Sequence, residues 1–277
     1  MSIHAPLLSI KWLQQHLNDE NVIVLDASMA PPGQPLYAPA AIIPKARRFD
    51  FDKQVCDTGS DLPHMMPSAD EFTRAAQALG INDDSIIVAY DHIGLFASPR
   101  AWWMFKSMGH KAVYVLDGGL PAWINAGLPA INNYAVAPSF GNFQACPRPN
   151  YFVGQTQVLN ALGSAHTRIL DARPTGRFEG SIAEPRPGLR AGHMPGAVSV
   201  PATCVQQSGH LLAAEEELTR LLGAPGSIIC TCGSGVTACV LALAAVVAGF
   251  SEVAVYDGSW SEWGKPELNL PVVTGAA

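Results

Sequence analysis

The residue with the most chemical potential in this sequence is Cys232. It ends an apolar run, Ser227-Ile228-Ile229-Cys230-Thr231, and opens a short loop, Gly233-Ser234-Gly235-Val236-Thr237. A long apolar stretch follows, with the run Val236 to Phe250 free of charge. The first run reads as a buried strand and the last as a buried helix. A cysteine at such a junction meets converging backbone N–H groups and the positive end of a helix dipole. Both favour the thiolate, the form that attacks as a nucleophile. Gly233 and Gly235 permit the tight curl that turns successive amides inward. The plain alternative is an inert buried cysteine, and the glycine-rich loop argues against it.

Other chemistries for these cysteines fit less well. Cys230 and Cys232 form C-x-C, and residues two apart in a strand share a face. No second Cys or His pair at ligand spacing lies nearby, so a metal site is not expected. A dithiol redox pair would want C-x-x-C, which is absent. A Cys-x5-Arg loop would clamp phosphate, because arginine binds it bidentately. Here the sixth residue after Cys232 is Ala238. Cys239 and Cys204 read as fillers of core or surface.

The elements that must position Cys232 are legible as a repeat. Leu25-Asp26-Ala27 recurs as Leu170-Asp171-Ala172, and Ile43-Pro44-Lys45-Ala46 as Met194-Pro195-Gly196-Ala197. Ile87-Val88-Ala89-Tyr90-Asp91 recurs as Ile228-Ile229-Cys230-Thr231-Cys232. Val115-Leu116-Asp117-Gly118-Gly119 recurs as Val255-Tyr256-Asp257-Gly258-Ser259. The order is kept, which implies two homologous domains. We expect a first domain over 1–130, a linker over 131–151 that holds Pro138, Pro147 and Pro149, and a second domain over 152–277. Each half alternates short β-branched runs (Val22–Leu25, Ile86–Tyr90, Ala112–Leu116) with helical stretches. Ser68-Ala69-Asp70-Glu71 is a capping box for a helix reaching Leu79 and stopped by Gly80. The fold class is α/β, each domain a mostly parallel sheet with helices on both faces. Sites in such sheets form at the carboxyl ends of the strands.

Composition excludes several classes. The chain has 277 residues, 48% hydrophobic and 14% charged, with formal net charge −6. That is too apolar for disorder and too acidic for nucleic-acid binding through phosphate contacts. The longest apolar run falls short of the ~20 residues of a membrane helix. Lys11 and His16 interrupt the N-terminal segment, so no signal peptide is expected and the cytoplasm is the default. The six cysteines fit no disulfide framework.

Two tandem α/β halves, Asp91 at the position matching Cys232, and the Cys232–Thr237 loop together resemble the tandem-domain rhodanese family. Further matching stretches are Ser98-Pro99-Arg100-Ala101-Trp102-Trp103, Gly192-His193-Met194-Pro195-Gly196-Ala197 and Tyr256-Asp257-Gly258-Ser259-Trp260. The loop is similar to that of the branch that uses 3-mercaptopyruvate. Relatives that use thiosulfate usually carry Arg and Lys directly after the cysteine, where this chain has Gly233 and Ser234.

The resemblance implies a sulfurtransferase, with thiosulfate as the alternative donor. It implies a persulfide on Cys232, its outer sulfur cradled by amides of Gly233, Gly235, Val236 and Thr237. Arg177 and Arg186 match the pair that clamps the substrate carboxylate, and forked guanidinium groups suit that task. Arg190 is a weaker match. Ser234 matches a serine that protonates the leaving enolate, and His64 and Asp52 match its partners. The implied partners are a small-molecule sulfur donor and a thiol or thioredoxin-like acceptor, with neither nucleic acid nor membrane. No cofactor and no metal is implied. The first half departs from the family pattern at Ala41-Ile42-Ile43-Pro44-Lys45-Ala46, where glycine is replaced by Lys45. Lysine resists positive φ, so we expect this turn to be rebuilt, and the loop around His64 with it.

Overall fold

Four β-branched or aliphatic residues, Val22–Leu25, and the Asp26 that follows them have both faces buried from end to end. Successive strand residues point to opposite faces, so this strand must lie inside a sheet covered on both sides. The computed structural model describes residues 6–30, 41–212, 214–224 and 226–276, and it places the strand there. The chain divides into two units: Met1–Gly59, Met66–Pro149 and Ser208–Leu211 in the first, Ser60–Met65, Asn150–Gln207 and Leu212–Ala277 in the second.

In the first unit, β1 (Leu7–Leu8), β2 (Val22–Asp26), β3 (Arg47–Arg48), β4 (Ile86–Tyr90) and β5 (Val113–Leu116) form a sheet in the order β1-β5-β4-β2-β3. All of these pairings are parallel, with Val22 opposite Ile86 and Asp26 opposite Tyr90. Its helices are α1 (Ile10–His16), α2 (Ala69–Ala78), α3 (Ser98–Ser107) and α4 (Gly119–Asn125). The capping box at Ser68 and Glu71 opens α2, and Gly80 beyond its end has φ +66°. One core gathers Leu13, Val24, Val88, Tyr90 and Trp123. On α2 and α3, Phe72 and Phe105 meet edge to face at 4.9 Å.

The second unit repeats the plan. Its five-stranded sheet holds β6 (Phe152–Val153), β7 (Thr167–Asp171), β8 (Val198–Ser199), β9 (Ser227–Thr231) and β10 (Val253–Tyr256), all pairings parallel and β9 central. Its helices are α5 (Gln155–Ala161), α6 (Thr175–Glu179), α7 (Glu215–Leu222), α8 (Ala238–Val247) and α9 (Ser259–Trp263). The apolar run after the cysteine loop is α8, with Ala238 through Ala245 buried. Trp260 and Trp263 lie in the core with Ile169 and Tyr256. In each sheet the loop of interest leaves the carboxyl end of the middle strand, β4 or β9.

Two expectations change. The turn at Lys45 is not rebuilt. Lys45 takes φ +65° and Gly196, its counterpart, φ +75°. The same hydrogen bond closes both turns, Ala46 N–H to Ile43 O at 3.1 Å and Ala197 N–H to Met194 O at 3.0 Å. The flanking pairing of Arg47 with Leu25 holds the lysine in that conformation. Second, 131–149 has the irregular backbone expected of a linker, yet it is strapped to the first unit. Ile131 bridges Ile42, and amides of Gly141, Phe143, Cys146 and Arg148 bond carbonyls of Gln77, Ile81, Met108 and Ser107. Phe143 is buried against Phe72 and Phe105.

Left-handed backbone costs a non-glycine residue about 1 kcal/mol, and Lys45 is exposed. Lys45→Gly is therefore expected to stabilise the protein by roughly 0.5–1 kcal/mol. Chemical denaturation checks it. A lower midpoint in the variant would show that the lysine side chain contributes more than its backbone costs.

Candidate active site

Strand β9 delivers Cys232 to the carboxyl edge of the sheet, and α8 begins six residues later. The thiol is almost wholly buried, at 2% exposure. Its backbone N–H donates to Ser259 Oγ at 3.2 Å, and that hydroxyl donates to Tyr256 O at 2.8 Å. Ser259 is itself buried and left-handed, with φ +48°. The Cys232 carbonyl accepts from Trp260 N–H at 2.9 Å. Ser234 and Val236 are buried, Gly233 and Thr237 partly so, and Gly235 takes φ +75°. Its carbonyl accepts from the Cys239 thiol at 3.3 Å.

Two arginines flank this loop. A Cβ added to Gly233 would lie 2.9 Å from Arg177 Nη2, so the guanidinium packs directly over that glycine. Arg186 Nη2 donates to Ser234 Oγ at 3.4 Å. Arg177 is aimed by Glu184, which accepts from its Nε at 3.2 Å and from its Nη2. Glu184 in turn accepts from Arg173 Nη1 at 2.8 Å. Arg173 is fully buried, bonded through Nη2 to Asp171 at 2.7 Å, and lies 4.1 Å over the Trp260 ring. Arg190 donates to the carbonyls of Leu270 and Trp263, so its cation is spent on backbone. A sulfur nucleophile with two cations beside it suits an anionic substrate.

The matching loop of the first unit shows what such a junction holds. Asp91 stands at the end of β4, and its carboxylate accepts from the amides of Ile93, Gly94, Phe96, Ala97 and Ser98 at 2.8–3.0 Å. The Ser98 hydroxyl adds a bond of 2.7 Å. The first unit fills its amide cradle with its own anion.

Of the residues expected at the site, Cys232, Gly233, Ser234, Gly235, Val236 and Thr237 form one loop with Arg177 and Arg186 against it. His64 lies in the segment Ser60–Met65 that groups with the second unit. It is buried with φ +62°, a backbone that persists only where the surroundings enforce it. Asp52 belongs to the first unit, where its carbonyl accepts from the Cys56 thiol at 3.5 Å. Burial pushes the Cys230 thiol well up, with Cys239 and Cys232 adding to it, so Cys230 stays protonated and inert. Among the described residues, no group of three His, Cys, Asp or Glu side chains could hold a metal, and no helix is long and apolar enough to cross a membrane.

Sequence reasoning passed over two contributors: Ser259 as the acceptor for Cys232, and the start of α9 as the loop's backing. The recurrence of Asp117-Gly118-Gly119 as Asp257-Gly258-Ser259 marked that turn, and the serine was its one departure.

Comparison with known proteins agrees with this geometry. A model of the Rhodanese-like domain matches residues 9–126 and again 154–266. The 3-mercaptopyruvate sulfurtransferase of Escherichia coli K12 is 41% identical, over 94% of this chain and 95% of its own. Thiosulfate/3-mercaptopyruvate sulfurtransferase 2 of Arabidopsis thaliana is 36% identical, over 99% and 88%. Among solved structures, SseA from Escherichia coli, described as a 3-mercaptopyruvate sulfotransferase, superposes with TM-score 0.83 at 37% identity. It covers 93% of this chain and 100% of its own.

Glu184 is the keystone of the arginine arrangement, its side chain 2% exposed between two guanidinium groups. Removing it leaves Arg173 buried with one carboxylate fewer. Glu184→Ala is expected to lower stability by roughly 2–4 kcal/mol, and Glu184→Gln by less, since the amide oxygen still accepts. Denaturant midpoints at constant slope measure both. Equal midpoints for Glu184→Ala and the parent protein would mean that Asp171 alone compensates Arg173.

Proposed function

The chain belongs to the rhodanese-like family, and on that footing we propose that it is a 3-mercaptopyruvate sulfurtransferase working through a persulfide on Cys232. The observation that carries this reading is the pair of guanidinium groups at Gly233 and Ser234, beside a loop that has no cation of its own. Mercaptopyruvate presents a carboxylate and a ketone a few bonds from its sulfur. Arg177 and Arg186 bind the carboxylate and leave the sulfur over Cys232.

The Cys232 thiolate attacks the substrate sulfur, and an S–S bond forms as the C–S bond breaks. The bonding pair leaves on the methylene carbon as the enolate of pyruvate. Ser234, its hydroxyl polarised by Arg186, passes a proton to that carbon directly or through water, with His64 as its relay partner. The persulfide rests among the amides of Gly233, Gly235, Val236 and Thr237. A second nucleophile, a small thiol, a thioredoxin-like dithiol or cyanide, then attacks the outer sulfur and regenerates the thiolate. A reducing compartment such as the cytoplasm would keep Cys232 and its acceptor thiol reduced.

The experiment is donor competition with cyanide as acceptor. Pyruvate and thiocyanate are expected from 3-mercaptopyruvate, at a rate well above thiocyanate from thiosulfate at equal concentration. Preference for thiosulfate would overturn the donor assignment and mean that Arg177 and Arg186 serve a sulfonate instead. Cys232→Ser is expected to abolish both reactions and the extra sulfur seen on the intact protein by mass spectrometry. Arg177→Ala is expected to raise KM for mercaptopyruvate at least tenfold, in keeping with about 1.5–3 kcal/mol for a charged hydrogen bond.

A further inference from the structure

We propose that Ser261 is a positioning residue: it fixes the peptide between Gly233 and Ser234 so that the Ser234 amide faces the sulfur on Cys232. The inference rests on Cys232 being the sulfur carrier. Ser261 binds the Gly233 carbonyl twice, through its N–H at 2.8 Å and through its Oγ at 2.7 Å. It is 4% exposed, at the middle of α9.

A trans peptide points its C=O and N–H in opposite directions, and the described residues contain no cis bond. A carbonyl pulled back towards α9 therefore turns the next N–H away from α9. Trp260 does this for the peptide after Cys232, and Ser261 for the one after Gly233. That second peptide has the greater need. Gly233 has no side chain to restrict its ψ. A flip would aim a carbonyl oxygen at a sulfur anion and replace attraction with repulsion.

The first unit supplies the internal control. The repeat pairs Gly119 with Ser259, Leu120 with Trp260, and Pro121 with Ser261. Leu120 N–H donates to Asp91 O at 3.0 Å, the counterpart of the Trp260 bond. The next tie cannot exist there, because proline has neither an N–H nor a hydroxyl. That loop is ordered from within, by the permanent carboxylate of Asp91 on five of its amides. The anion on Cys232 comes and goes with turnover. A cradle for a transient charge must be held from behind.

The test is Ser261→Ala, which removes the Oγ bond and leaves the N–H, with Ser261→Thr as the conservative partner. For Ser261→Ala we expect kcat with mercaptopyruvate to fall about tenfold, KM to stay within about twofold, and the pH midpoint of Cys232 alkylation by iodoacetamide to rise by about half a unit or more. Ser261→Thr is expected to restore all three towards the parent values. Unchanged kcat and alkylation profile in Ser261→Ala would overturn the inference. So would a loss of kcat without movement of the profile, which marks a purely structural role. Cys232→Ser is assayed beside them. If it is inactive while Ser261→Ala is normal, only the role of Ser261 falls. If it keeps its activity, the sulfur-carrier reading falls and the Ser261 inference with it.

Discussion

A sulfur anion held inside a protein needs donors on every side it presents, and the smallest donors available are backbone amides. Each amide is bonded to a carbonyl that must go somewhere else. At the end of β9 the problem is solved by geometry. The loop is too short to bury its carbonyls in a ladder, so they are taken up from behind, by α9 and by the thiol of Cys239. The rest of the second unit follows from that arrangement. The parallel sheet fixes where the loop starts, α8 fixes where it ends, and α9 supplies donors at the right height.

The duplicated architecture lets one chain display two answers to this constraint. In the first unit Asp91 is both the last residue of the loop's anchor and the anion that fills it. In the second, Cys232 leaves the position open to chemistry, and cations are brought up beside it. Those cations need their own discipline. Arg177 would swing freely were it not paired with Glu184, and Glu184 is in turn fixed by a buried arginine lying on Trp260. The placement of Arg177 thus reaches back into the core, through one carboxylate shared between two guanidinium groups.

Much of this was legible in the sequence, and the reasons differ by element. Strands β2, β4, β5 and β9 announced themselves because they run inside the sheets and are mostly apolar and buried, which the two-residue strands are not. Helix α2 was readable from Ser68 and Glu71, a local signal that needs no tertiary context. Lys45 misled because propensity speaks of the average lysine, whereas a turn pinned by a strand pairing and one hydrogen bond outweighs a cost of about 1 kcal/mol. The strap over 131–149 was hidden because its bonds run to scattered carbonyls at helix ends and in loops, which leave no period in the chain. At the site, residue types pointed to Cys232 and its glycines, and the resemblance to Arg177 and Arg186. The backing serines adjoin a stretch that carries the resemblance, but their role stands out only when Ser259 and Ser261 are set against Gly119 and Pro121.

The carboxylate of Asp91 makes the first unit a permanent cast of an occupied loop. Its five bonded amides are expected to show deshielded protons and slow exchange with solvent. The loop after Cys232 can be read against this standard within the same spectrum, empty or charged with sulfur, without adding any ligand. The loop that carries the thiol travels with its own reference.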